Sequence, residues 1–381
     1  MAYELTDAHE ELRRSVREFG EDVVRPAAER LDESTYPTEV INAAADRGYV
    51  GPLIPDEYGG GGYDTLGAAI IVEELWRADT NLGCAIGISG FPTNVELLVE
   101  YGDEWMREEW LPKVASAEVT DGIAVTEPGH GSDVAAMETT ATRDSDEWVL
   151  DGEKTFIGNA TDAAYLLVFA RTSPAEGHGG ISVFLVPTDV DGYDAQPITG
   201  KMGTRAAKLG HVYLDGARIP ADHLVGEEDQ GFYHFMHTLA KGRTIVAAQG
   251  VGAASAGLKA ARSYATEREQ FGRPIGDFQA VSHSIAEMAT RTEAARSMTY
   301  RAATAADWGR DDAPRLASMA KLFASETGFD VLDDALQIHG GAGYTGEYPV
   351  ERYLRDVRAT RIYEGTSEIQ KSVVADDLLP S

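Results

Sequence analysis

The sequence predicts an α+β protein with an N-terminal all-α domain, a central antiparallel β domain and a C-terminal four-helix-bundle domain. Three observations predict it. Apolar residues recur at helical spacing through the first 120 residues. Near Asp121 the pattern switches to short, often alternating runs with Asp-Gly and Gly-Gly at the turns. After Gly231 it switches back to long helical stretches. Helices, then strands, then helices, with no regular βαβ alternation, is the α+β order. The expected domains are 1–120, 121–228 and 229–381.

The first helix is read from Leu12, Val16, Phe19, Val23 and Ala27, between Leu5 and Leu31, with Thr6 or Asp7 placed to cap it. Helical patterns continue through VINAAADRGYV, TLGAAIIVEELWRADTNLGCAIG and NVELLVEYGDEWMREEWLPKVAS, separated by PDEYGGGGYD and GFPT. The strand candidates are GIAVTEP, TTATRDSDEWVLDGEKTFIGNA, AAYLLVFARTS, GISVFLVPTDV, DAQPIT and LGHVYLDGARIP, ending near Val225. Three long helical stretches follow, the last running into QIHG.

The chain of 381 residues carries a net charge of -30, and only 8 of its 33 basic residues are lysine. A diffuse acidic surface with few lysines suits a cytoplasm of high salt, where screening tolerates self-repulsion. It offers no basic stripe for nucleic acid. No run approaching about 20 apolar residues stands out, and the N-terminus lacks a basic lead followed by an apolar run, so no membrane insertion and a cytoplasmic location are expected. The single cysteine, Cys84, has no partner for a disulfide or a metal site and is expected in the core.

Four stretches carry chemistry. AVTEPGHGSDVAAM, residues 124–137, leaves an apolar strand for a glycine-rich loop whose amides, Thr126 and Ser132 can serve a phosphate or a polar ring edge, or simply make a surface turn. YATEREQFGRPIGDFQAV places Arg268, Gln270 and Phe271 at a helix end and Gln279 at the next start, either an anion and ring site or an ordinary corner. QIHGGAGYTGEYPVERYLRDVR ends a helix in Gly340, Gly341 and Gly343, then alternates acid and base. RIYEGTSEIQ sets Glu364 between Tyr363 and Gly365, in a poor helix and an untidy strand.

Jointly these stretches resemble the acyl-CoA dehydrogenase family, from about the YGGGG loop to the C-terminus. TEPGHGSD looks like the family's first signature, and Gln337, Gly340, Gly341, Gly343, Tyr344, Glu347, Arg352 and Asp356 fit its second. The resemblance implies FAD as cofactor and a saturated acyl-CoA as substrate. It further implies that Glu364 takes the α-proton while flavin N5 accepts the β-hydride. Electrons would then pass to an electron-transfer flavoprotein. Val125, Thr126 and Ser132 match positions at the flavin, Ser132 also at the thioester. Phe156, Ile157 and Gly158 match the strand against the isoalloxazine. Arg268, Gln270, Phe271 and Gln279, with Gln337, Gly340 and Gly341 of a neighbouring subunit, match positions around the ADP half. Thr366 and Glu368 match further FAD contacts, and Arg243 and Tyr363 match substrate-side positions. An FAD shared between subunits implies a homotetramer or a dimer. No metal is implied.

The chain also departs from the family pattern. His130 stands where a small residue is usual, and Phe156-Ile157-Gly158-Asn159-Ala160 replaces the common Trp-Ile-Thr-Asn-Gly. Ala207 and Leu209, around Arg205, replace Ser or Thr. Gly242 occupies the position from which some members present their base, which strengthens Glu364. A flavin monooxygenase or oxidase on the same fold, and a non-catalytic acyl-CoA-binding flavoprotein, are the alternatives. Retention of Glu364 argues against the first.

Overall fold

The computed structural model describes residues 5–174 and 177–379, so the outermost residues of the two expected terminal domains lie outside it. Thr6 caps the first helix, α1 (Asp7–Phe19): its hydroxyl accepts from the His9 amide while the His9 ring answers at the Thr6 amide. The rod continues through a π-helical turn, Gly20–Val24, into α2 (Arg25–Arg30), so the predicted first helix is one rod with a widened turn. Then come α3 (Thr38–Ala45), α4 (Thr65–Ala78), α5 (Thr80–Gly87), α6 (Pro92–Tyr101) and α7 (Glu104–Ala115).

The segment Thr80–Tyr101 has the length and composition to cross a membrane, which corrects the expectation that no such run exists. It is two helices, interrupted at residues 88–91 and largely buried inside the protein.

The sheet holds β1 (Thr120–Ala124), β2 (Thr140–Asp144), β3 (Glu147–Gly158), β4 (Ala163–Arg171), β5 (Ile181–Pro187), β6 (Tyr193–Pro197), β7 (Leu209–Pro220) and β8 (Leu224–Val225). Its order is β6-β7-β3-β2-β4-β5-β8, with β1 also on β4. It is mostly antiparallel, as expected. The exceptions are β1, parallel to β4, and a single parallel β2–β4 pair. β4 and β5 are buried almost throughout, which is why they read as continuous apolar runs.

The C-terminal domain begins with α8 (Gly231–Glu267), followed by the hairpin β9 (Glu269–Gln270) and β10 (Arg273–Pro274). It continues with α9 (Gln279–Asp307), α10 (Ala313–His339), α11 (Gly341–Tyr344), α12 (Val350–Val357) and α13 (Ser367–Leu378). Helices α8, α9 and α10 pack on one another, and α13 joins against α10 as the fourth member. Glycine sets the spacing of α8 and α10: a Cβ on Gly328 would lie 2.8 Å from the Gly250 carbonyl.

The helical domains are joined through α4, which is buried along nearly its whole length and packs on α1, α8 and α9. The buried carboxylate of Glu73 accepts from Arg296 at 2.8 Å and Tyr300 at 2.6 Å. Its neighbour Glu74 takes Arg17 at 2.6 Å and Arg77 at 2.5 Å. Further along, buried Asp79 takes Arg352 of α12 at 2.6 Å. Buried carboxylates survive here because each is paired.

Candidate active site

Glu364 sits in the short loop between a 3₁₀ turn, Arg358–Arg361, and α13. Its backbone is left-handed, φ +54°, and Gly365 follows at +87°. Two consecutive left-handed residues turn the chain sharply, a conformation glycine adopts freely and a residue with a Cβ does not. Thr366 then caps α13 by accepting from the Ile369 amide at 3.3 Å.

The loop is held on several sides. Lys321 of α10, fully buried, donates to the Gly365 carbonyl at 2.6 Å. The Gln370 amide donates to the carbonyls of Glu364 and Gly365 at 3.0 and 2.9 Å. Tyr363 donates to Gln249 of α8 at 2.7 Å, so its hydroxyl is spent tying the loop to that helix. Ser367 donates to Glu326 at 2.7 Å, and Arg361 pairs with the same carboxylate at 2.6 Å.

The Glu364 carboxyl meets residues from three helices. Thr93 of α6 donates to Oε2 at 3.4 Å. Gly242 of α8 faces the same oxygen: a Cβ there would come within 3.0 Å of Oε2, 3.5 Å from the Phe91 ring, and would collide with the Thr93 hydroxyl. Gly242 is therefore the floor against which the Glu364 carboxyl rests. Arg243, buried and donating to Ser318 at 3.2 Å, and Lys321 supply positive charge nearby. Desolvation raises the Glu364 pKa above the usual carboxylate value, against the pull of Arg243, Lys321 and the Thr93 hydroxyl. Burial lowers Lys321 to about 8, though Glu364 pulls it back.

The glycine-rich loop departs from the end of β1. Val125 accepts from Lys154 at 3.2 Å, and the fully buried Lys154 ammonium pairs with Glu127 at 2.8 Å. Glu127 also accepts the amides of Glu138 and Thr139 at 2.6 and 2.9 Å, so one carboxylate pins both ends of the loop. The Thr126 and Ser132 hydroxyls make no hydrogen bond among the described residues, and a Cβ at Gly129 or Gly131 would meet nothing. His130 turns along the loop, its Nε2 3.8 Å from Glu138, and is partly exposed.

On β3, Phe156 has φ +59° and is 64% exposed, while Ile157 is buried. A register shift between Lys154 and Ile157 marks the bulge that turns Phe156 out of the sheet. A Cβ on Gly158 would lie 3.0 Å from Ile88 Cδ1, so Ile88 takes the space that a threonine would need. A loop with free donors beside an outward-turned aromatic fits a flat, polar-edged ring.

Arg268 ends α8, Gln270 lies on the β9–β10 hairpin with Phe271 at its tip, and Gln279 opens α9; all four are exposed, Phe271 by 93%. Gln337, Gly340 and Gly341 are exposed at the far end of α10, where Gly340 has φ +59°. Among the described residues, no hydrogen bond, ion pair or ring contact links either group to Glu364. Glu368 is exposed in the first turn of α13.

Thr93, Lys321, Gln370 and Ile88 were not singled out from sequence. A signal existed for Lys321: it is one of 8 lysines and the lone charge in LASMAKLFAS. Thr93 lay in GFPT, read only as a separator.

Residues 6–118, 122–217 and 229–379 match in turn the N-terminal, middle and C-terminal domains described for acyl-CoA dehydrogenases. The mitochondrial short-chain specific acyl-CoA dehydrogenase of Bos taurus is 38% identical over 379 residues, 99% of this chain and 92% of that one. The solved butyryl-CoA dehydrogenase of Megasphaera elsdenii is 34% identical, covers 100% of both chains and superposes with a TM-score of 0.93. A chain from a structure described as the electron transferring flavoprotein of Acidaminococcus fermentans is 36% identical over 100% of both, at a TM-score of 0.94.

Proposed function

Because the chain belongs to the acyl-CoA dehydrogenase family, we propose that it oxidises a short saturated acyl-CoA to the trans-2-enoyl-CoA with Glu364 as the base. The observation that carries this reading is the Glu364 carboxyl, aimed by a left-handed loop into a setting that raises its proton affinity. A base with its pKa moved toward the working pH removes a proton more effectively than an ordinary carboxylate. Arg243 and Lys321 favour its ionised form, opposing the effect of burial. FAD, when bound, supplies the acceptor for the β-hydride. Val125, Thr126, Ser132, Phe156, Ile157 and Gly158 would hold its ring. Arg268, Gln270, Phe271 and Gln279, with Gln337, Gly340 and Gly341 of another subunit, and Thr366 and Glu368, would hold the remainder. Ser132, Arg243 and Tyr363 line the substrate side, Tyr363 through its ring.

The short-chain and butyryl-CoA relatives support a short acyl group, and the flavoprotein neighbour supports an electron-transfer flavoprotein as acceptor. Exposure of Phe271 by 93% and Tyr344 by 80% supports an assembly, a homotetramer in this reading, that covers them. The net charge of -30 supports a halophilic, salt-rich cytoplasm. The domain limits proposed are 1–120, 121–228 and 229–381. The test is anaerobic mixing of the yellow protein with saturated acyl-CoAs of increasing length. Bleaching of the flavin, fastest with butyryl-CoA and absent in Glu364→Gln, is expected. Rapid turnover with oxygen as sole acceptor, or bleaching undiminished in the variant, would overturn it.

A further inference from the structure

Lys321 is a buried ammonium that forms no ion pair among the described residues; its one hydrogen bond there is to a backbone carbonyl. Removing an ammonium from water is costly, and satisfying a carbonyl is something a neutral donor does equally well. A lysine at this place therefore has a use for its charge as well as its N–H. The carbonyl it holds is that of Gly365, the residue after Glu364, and Gln370 donates to the same oxygen at 2.9 Å. These two donors are the side-chain contacts made to the carbonyl that directly follows the left-handed Glu364.

We propose that Lys321 is a positioning residue for the base: with Gln370 it clamps the Gly365 carbonyl, fixes the backbone from which Glu364 projects, and places a cation behind the carboxylate. This rests on the reading of Glu364 as the base. The charged groups facing Glu364 are Arg243 of α8 and Lys321 of α10, with the Thr93 hydroxyl of α6. Those acting on Lys321 are Glu364, Arg243, Glu326 of its own helix and Glu368 of α13. Arg243 acts on the carboxyl by its charge alone, whereas Lys321 also holds the backbone carbonyl that follows it. Clamp and charge are separable, because Gln370 shares only the first.

The test compares Lys321→Met, Lys321→Gln and Gln370→Leu in the flavin-loaded protein. The readouts are flavin reduction by butyryl-CoA across pH and the infrared carbonyl band of protonated Glu364, identified by its loss in Glu364→Gln. Lys321→Met is expected to slow reduction by about 100-fold, to shift the acid limb of the rate profile to higher pH, and to keep the band to higher pH. Lys321→Gln, which keeps a donor, is expected to recover much of the rate but not the shift. Gln370→Leu is expected to slow the rate with the band unmoved. A wild-type rate and an unmoved band in Lys321→Met or Lys321→Gln would overturn the proposal, as would loss of melting temperature alone. If Lys321→Met fails to fold, Lys321→Gln and Gln370→Leu still decide it. Unimpaired bleaching in Glu364→Gln would instead overturn the base assignment on which it stands.

Discussion

Gly242→Ala tests the crowding around the carboxylate with a single methyl group. The new Cβ would lie 3.0 Å from Glu364 Oε2 and would overlap the Thr93 hydroxyl. Ordinary contact is about 3.5 Å, so the carboxyl must retreat by roughly half an ångström or Thr93 must rotate away. A full ångström of misplacement of a catalytic group costs on the order of 100-fold. At half that displacement flavin reduction should slow by about 10-fold, equivalent to about 1.4 kcal/mol of barrier. The assay is anaerobic stopped-flow reduction by butyryl-CoA, with flavin content measured alongside to exclude a folding defect. Thr93→Ala keeps its own Cβ but loses the hydroxyl that would collide. Alone it should cost no more than about 3-fold, since it removes one long hydrogen bond at 3.4 Å. Combined with Gly242→Ala it should return part of the lost rate, a coupling expected of residues in contact. A rate within twofold of wild type for Gly242→Ala, or no return of rate in the double variant, would refute the reasoning.

Glu364→Gln should slow flavin bleaching by about 1,000-fold or more while leaving flavin binding intact. The same variant should unfold at a higher temperature at neutral pH. The folded carboxyl has a raised pKa, so its stabilisation is full below the unfolded value of 4.5 and is lost as pH rises through the folded one. Lys321 titrates with the opposite sign: with its folded pKa near 8 and its unfolded value near 10.5, it adds stability as pH climbs from 8 toward 10.5, and Lys321→Met should flatten that rise in chemical denaturation. Lys154→Met should cost about 3–5 kcal/mol by stranding the buried Glu127 carboxylate, and should release flavin before the protein melts. In potassium chloride the melting temperature should rise steadily from about 0.1 to about 1 M, as a Debye length falling from roughly 10 to 3 Å screens the acidic surface.

The three-part architecture was legible because periodicity is local: helix α1 and the alternation of β7 can each be read within a dozen residues. Glu364 was legible because aromatic, acid and glycine are adjacent in the chain. Its surroundings were not, since Thr93 is 271 positions away and Lys321 lies 44 positions before the carbonyl it holds. Only packing brings them together. The Gly158 departure read from sequence as a lost hydroxyl; the fold adds that Ile88 occupies that space, a pairing across strand and loop that no spacing announces. The π-helical turn after Phe19 was invisible for the same reason. Gly20 meets Ala78 of α4 there, where a Cβ would come within 2.8 Å.

The burial of α4 among helices from both ends of the chain bears on how the protein is made. Glu73 and Asp79 find their arginines more than 200 positions later, at Arg296 and Arg352. A growing chain emerging from a ribosome thus exposes two unpaired acids and an apolar helix until nearly the whole sequence has been translated. Fragments cut at the sheet should be insoluble alone and recover when coexpressed. Residues 6–118, which match a domain by themselves, do not amount to a module that evolution or an engineer could move freely.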